Sequence, residues 1–158
     1  MDLGERYHRV VIEVPIKVLD PASGAEPPKP MRAGDAAADL RASEPAKIAA
    51  GGRAMVGTGL AVAIPPTACG LVLPRSGLAA KHGVTLLNSP GLIDSGYRGE
   101  LKIILYNSSD EDFVVEAGDR IAQFMILGLD KVSFLATDEL PEGIDDRGVA
   151  GFGSSGVA

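Results

Sequence analysis

The sequence predicts an all-β fold, a distorted jelly roll or β-sandwich with one short helix, on three observations. Its apolar share is 46% and its aromatic share only 4%, so the core must be built of Val, Ile, Leu and Ala. Twenty Gly and eleven Pro are spread along the chain rather than pooled, which marks frequent turns between short strands. Apolar runs recur between turn signals at intervals of roughly 8–12 residues, the rhythm of a sandwich or jelly roll. The 158 residues suit one compact domain and can bury a core without staples.

Residues 9–19 read R-V-V-I-E-V-P-I-K-V-L, β-branched and partly alternating, and predict the first strand. Pro15 inside it places that strand at a sheet edge or a bulge. Residues 21–30 are Pro-rich and read as a surface linker. Further strands are predicted at 39–42, 54–64, 70–73, 84–87, 100–107, 113–115 and 120–129, with a helix at 77–82. Ser89-Pro90-Gly91 and Asp94-Ser95-Gly96 set two turns close together and predict a hairpin projecting from the sheet. From Thr137 the chain turns acidic and then Gly-rich. That change predicts a domain over 1–136 followed by a mobile arm over 137–158.

The bulk chemistry excludes several classes. A net charge of −6 argues against nonspecific nucleic-acid binding, which needs a basic stripe. It leaves a phosphorylated small molecule open, because a triphosphate feels the arginines and amides of its own pocket. Cys69, the single cysteine, rules out an intramolecular disulfide or a cysteine zinc cage and reads as a small buried apolar residue. His8 and His82 have no partners at zinc-ligand spacing. With no apolar run near the roughly 18 residues of a membrane span and no signal core, a soluble cytoplasmic protein is expected.

Several short patterns are candidates for chemistry, each with a plain alternative. Pro74-Arg75-Ser76-Gly77 follows a strand and opens the helix. It reads as an anion site, with Ser76 capping and Arg75 forking onto phosphate, or as an ordinary capped turn. In Gly91-Leu92-Ile93-Asp94-Ser95-Gly96-Tyr97-Arg98-Gly99, Asp94 is either a turn-former or a general base with Tyr97 as a stacking surface. Asp39, in a strand of small residues, needs an arginine, a cation or a water shell. Gln123, in Gly118-Asp119-Arg120-Ile121-Ala122-Gln123, is an exposed residue or a phosphate donor. Glu100 and Lys102 alternate on one strand and read as a solvated face. Gly151-Phe152-Gly153-Ser154-Ser155-Gly156 fits G-x-G-x-x-G, but with only Val157 and Ala158 following, no helix is expected to face a pyrophosphate. With Arg147, its amides and hydroxyls remain a good anion clamp.

Taken in order, these segments closely resemble the five motifs of trimeric dUTPases, from about Gly34 to Gly156. One departure stands at Ala37, where the family usually has Gly two residues before the motif's Asp. The resemblance implies hydrolysis of dUTP to dUMP and pyrophosphate in a jelly-roll homotrimer whose C-terminal arms are exchanged. Each of three sites would take motifs one, two and four from one chain, motif three from a second and the arm from the third. Asp94 would deprotonate the attacking water. Mg2+ would be held mainly by the substrate phosphates and, through water, by Asp39. Arg75, Ser76, Gly77 and Gln123 would grip the phosphates, and Arg147, Gly153, Ser154 and Ser155 would close over them. Asn88, Gly91 and Ile93 would read the uracil, with Phe152 stacked on it, Tyr97 under the deoxyribose, and Lys102 also among the substrate contacts. Such an enzyme limits uracil incorporation into DNA and supplies dUMP for dTMP synthesis.

Two rivals remain. dCTP deaminase shares the fold and several motifs but carries a catalytic Glu where Ile104 stands here, and tends to have Trp in place of Tyr97. A catalytically silent jelly-roll binding module is the other, disfavoured by the presence of Asp94, Arg75 and Arg147.

Overall fold

A computed structural model describes residues 11–141 and 143. In chain order the strands are β1 (Ile16–Val18), β2 (Ala38–Arg41), β3 (Ala46–Ile48), β4 (Arg53–Val62) and β5 (Ala68–Leu73). After helix α1 (Ser76–His82) come β6 (Val84–Leu86), β7 (Gly91–Ile93), β8 (Glu100–Asn107), β9 (Phe113–Val115) and β10 (Arg120–Gly128). They form two four-stranded sheets, β1-β4-β8-β6 and β2-β10-β5-β7, and a small β3-β9 pair. Every pairing is antiparallel. The β-rich prediction is borne out, and the two larger sheets bury one aliphatic core between them.

Strand alternation decides which side chains enter that core. On β8, Leu101, Ile103, Leu105 and Asn107 point inward, while Glu100, Lys102, Ile104 and Tyr106 face out. From the other sheet Leu40, Val72, Ala122 and Phe124 meet them. Phe124 is the one buried aromatic among the described residues, and Gly70 makes its space. A Cβ at Gly70 would stand 2.5 Å from a Phe124 ring carbon and 2.9 Å from Ile64 Cδ1. Gly70→Ala is therefore expected to cost about 1–3 kcal/mol by overpacking, read as a lower urea midpoint. An unchanged midpoint would mean that the ring shifts freely.

Asn107 is the buried polar exception. Its Nδ2 donates to the carbonyls of Ile48 at 3.2 Å and Glu111 at 2.7 Å, and its Oδ1 accepts from Ser109 N–H at 3.0 Å. A fully buried amide is tolerable because both its ends are bonded.

Besides the unpredicted β3 and small shifts of strand ends, the structure departs from the predicted elements in four places. The first strand, expected over 9–19, pairs regularly only from Ile16, because Pro15 has no N–H to give the ladder, although its carbonyl accepts from Ala63 at 2.9 Å. Residues 9 and 10 lie outside the described region. Its edge position agrees with the proline. Within the linker, residues Pro21–Ser23 form a 3-10 turn capped by Asp20. The helix includes Ser76, so Ser76 is not its cap; Arg75 holds the N-cap position with no side-chain capping bond. Residues 89–96 do not form a projecting hairpin. Strand β7 leaves the sheet of β6 and pairs with β5, so this segment crosses from one sheet to the other.

The small β3-β9 pair carries an exposed ion pair, Lys47 Nζ to Asp112 Oδ2 at 2.8 Å, and Ala50 N–H donates to Asp112 Oδ1 at 3.0 Å. The hydrogen bond from Lys47, then that from Ala50, holds the Asp112 carboxyl below its ordinary 3.8. The same bond raises Lys47 above its ordinary 10.5. Asp112 thus contributes stability above its unfolded pKa and loses it as pH falls through the lower folded value. The Lys47 contribution is complete below its unfolded pKa and is lost as pH rises through the raised folded value. Asp112→Asn is expected to flatten the acid limb of Tm against pH slightly at low salt and less at high salt. An identical acid limb at low salt would remove the pair from the account.

Candidate active site

Strand β10 organises one cluster. Gln123 lies opposite Asp39 on β2 and opposite Leu73 on β5, so the three share a row on the outer face of that sheet. Beyond Leu73 the chain stays extended through Arg75, whose φ and ψ are −95° and 124°. This returns the guanidinium over Asp39, with Nε at 3.1 Å from Oδ1. A second Arg75 nitrogen donates to the Arg120 carbonyl at 2.9 Å. Arg120 itself reaches Asp39 Oδ2 at 3.3 Å.

One carboxylate, its side chain only 11% exposed, therefore holds two guanidiniums and leaves one positive charge uncompensated. Bonding at two points fixes the Arg75 fork before any ligand arrives. Next to it, the Ser76 and Gly77 amides open α1 without acceptors inside the helix. A Cβ at Gly77 would meet nothing within 4 Å, so the helix start faces open space. On the other side of Asp39 a cavity of about 340 Å³ is bounded by Met31, Asp35, Ala37, Leu73 and Gln123. Asp39 needed a partner, and the structure supplies arginines. Arg120 in this part is new.

A second cluster follows β7, which runs antiparallel to β5 from Val72 toward its start. Gly91 packs on Val72, where a Cβ would be 3.3 Å from the valine Cβ and 3.4 Å from Asn88 Nδ2. Ile93 is half-buried opposite Gly70, and exposed Asp94 follows it. Tyr97 N–H donates to the Asp94 carbonyl at 3.0 Å, closing the turn. The Tyr97 hydroxyl donates to the Glu100 carbonyl at 2.8 Å. The β5-β7 register puts Asp94 level with Cys69, six residues from Arg75 along an extended strand, or about 20 Å at ~3.3 Å per residue. Within one chain, Asp94 and Arg75 thus lie toward opposite ends of β5. Lys102 joins neither cluster: it faces out from the other sheet, 3.6 Å from Glu100 Oε2, as a solvated face would. Arg147, Phe152, Gly153, Ser154 and Ser155 lie outside the described residues.

A family model described as dUTPase matches residues 24–156. The chain belongs to the dUTPase family. It is 47% identical over 147 residues to the deoxyuridine 5'-triphosphate nucleotidohydrolase of Clostridium acetobutylicum, covering 93% of this chain and 99% of that protein. To the enzyme of the same name from Nocardia farcinica it is 44% identical over 146 residues, covering 90% and 85%. Among solved structures, the dUTPase of Staphylococcus bacteriophage 80alpha with dUPNHPP superposes with a TM-score of 0.82 at 28% identity, covering 92% of this chain and 99% of that one. A dUTPase from phage phi11 of S. aureus, described for its structural Mg(II) ion, shares the fold with a TM-score of 0.75 at 22% identity, covering 82% and 99%.

Ligand count limits how this dUTPase chain can meet a cation. Among the described residues no three His, Cys, Asp or Glu converge as a metal cage. Both Asp39 oxygens are engaged by guanidiniums, yet each keeps a lone pair for a water. Asp39 is thus suited to a hydrated cation held through water and unsuited to chelation. Also among the described residues, no helix is long and apolar enough to cross a membrane.

Proposed function

We propose that this chain hydrolyses dUTP to dUMP and pyrophosphate as a cytoplasmic, Mg2+-dependent homotrimer, limiting uracil in DNA and supplying dUMP for dTMP synthesis. The observation that carries the reading is the guanidinium pair on Asp39, beside the free amides of α1 and in line with Gln123. This is a preformed grip for a polyphosphate.

Arg75, Ser76, Gly77 and Gln123 hold the phosphates. Asp94 orients a water behind the α-phosphorus and takes its proton; the new oxygen–phosphorus bond forms as the bond to the bridging oxygen breaks, and pyrophosphate leaves with that electron pair. Mg2+, when bound, would neutralise phosphate charge, and Asp39 would hold it through water. Asn88 and the backbone of Gly91 and Ile93 read the uracil edge, and Tyr97 lies under the deoxyribose. From the arm over 137–158, Arg147, Gly153, Ser154 and Ser155 close on the phosphates and Phe152 covers the base.

Two observations support sharing of the site among copies. The separation of about 20 Å along β5 between Asp94 and Arg75 of one chain suits a site completed by a second chain. After β10, Val132 (71%), Phe134 (95%) and Leu135 (84%) are exposed on a segment without regular structure, apolar surface that suits burial against a neighbour. Motif three is then the second chain's contribution and the arm the third's.

Deamination is not supported, because Ile104 pairs with Met55 on β4 and has no proton to exchange. The deciding experiment incubates the protein with dUTP or dCTP and Mg2+ while following pyrophosphate and ammonia. Pyrophosphate from dUTP alone is expected. Ammonia from dCTP would favour the deaminase, and no product from either would favour a silent binding module.

A further inference from the structure

We infer that Glu100 is a positioning residue for Tyr97, and through it for discrimination against a 2′-hydroxyl; this rests on the dUTP reading above. The pairing of β4 with β8 shifts register between Gly57 and Ala61, opposite Lys102 and Glu100. A bulge of this kind leaves backbone groups out of the ladder, and two side chains take them up. Glu100 Oε1 accepts from Gly59 N–H at 2.9 Å. The buried Thr58 hydroxyl donates to the Leu101 carbonyl at 2.8 Å.

Glycine is required at the bulge. Gly59 has a φ of +67°, and a Cβ at Gly57 would stand 2.6 Å from Glu100 Oε1. Lys102 adds a contact of 3.6 Å to Glu100 Oε2. Residue 100 is therefore fastened to the neighbouring strand by its own side chain. Its backbone carbonyl is the acceptor of the Tyr97 hydroxyl, at 2.8 Å. Gly99 leaves the ring its seat, since a Cβ there would lie 2.5 Å from the Tyr97 oxygen.

The height of the ring over the turn is thus set from β4 by way of Glu100. Steric refusal of a larger sugar needs a wall that does not yield. The contact to Gly59 uses an acceptor oxygen rather than a charge, so a Gln at this position serves as well.

The test measures kcat/KM on dUTP and on UTP, and Gly59 amide hydrogen exchange. It compares wild type, Glu100→Ala, Glu100→Gln, Tyr97→Phe and the Glu100→Ala/Tyr97→Phe pair. Glu100→Ala is expected to speed Gly59 exchange and lower the dUTP-over-UTP ratio about five- to tenfold, the order of one lost hydrogen bond. Glu100→Gln keeps both near wild type. Tyr97→Phe lowers the ratio similarly with Gly59 exchange unchanged, and the double variant falls no further than either single one.

Additive losses in the double variant, or faster Gly59 exchange in Glu100→Ala with an unchanged ratio, overturn the assignment. Should Glu100→Ala fail to fold, Tyr97→Phe on its exposed turn reads the same bond, and an unchanged ratio there overturns it equally. Wild-type protein that cleaves no dUTP overturns the dUTP reading and this inference together, before any variant is made.

Discussion

Asp94→Asn loses about 10²–10⁴ in turnover while dUTP still binds, the range a positioned general base supplies. The substitution keeps the shape of the side chain and removes only its capacity to take a proton. The turn survives it, because Tyr97 N–H is held by the Asp94 backbone carbonyl and not by the carboxylate. Arg98 secures the same turn independently, donating to the carbonyls of Ser95 at 2.6 Å and Tyr97 at 2.7 Å. Affinity is expected to persist because Arg75, Ser76, Gly77 and Gln123 make the phosphate grip, and the Asp94 carboxylate is no part of it. Pyrophosphate release under saturating dUTP measures kcat, and calorimetry with the same variant measures binding. Near-normal kcat would take the water-activating role away from Asp94. Lost affinity with kcat intact would make it a binding residue instead.

The strands that could be read in advance are those whose pattern is local. Residues 100–107 and 113–115 are strands at the predicted bounds; on β8, Leu101, Ile103 and Leu105 alternate with Glu100, Lys102 and Ile104. Strand β3 is only Ala46–Ile48, with Lys47 at its centre, too short to show a period. Strand β7 hid among turn residues, since Pro90, Gly91 and Gly96 punctuate a sheet-to-sheet crossing and a hairpin alike. Arg120 shows why part of the site was out of reach. Three positions separate it from Gln123, and strict alternation puts such residues on opposite faces. A bulge between Arg120 and Ala122 buries Ile121 and Ala122 together and turns Arg120 onto the face of Gln123 and Asp39. Nothing in the residue types marks that bulge. Distance was equally invisible, because Arg75 and Asp94 are near in sequence and far apart along β5.

That distance leads to the second large effect. Arg75→Ala and Asp94→Asn proteins, each nearly inactive alone, are expected to recover activity when co-expressed and purified as mixed trimers. A site that draws Arg75 from one chain and Asp94 from another is intact when the first is the Asp94 variant and the second the Arg75 variant. In a mixed trimer of either composition one of the three sites is intact, so about a third of wild-type activity returns in the purified mixed fraction, and about a quarter in the unfractionated random mixture. A site contained in one chain predicts no recovery, since every chain then carries one lesion. The Arg75→Ala subunit is expected to fold, because Asp39 keeps Arg120 at 3.3 Å and is not left as an unpaired carboxylate. Differently tagged subunits allow the mixed species to be separated from the parents before assay. Recovery in that fraction alone locates the water-activating carboxylate and the phosphate grip on different copies, and its absence returns the site to a single chain, against the β5-β7 register.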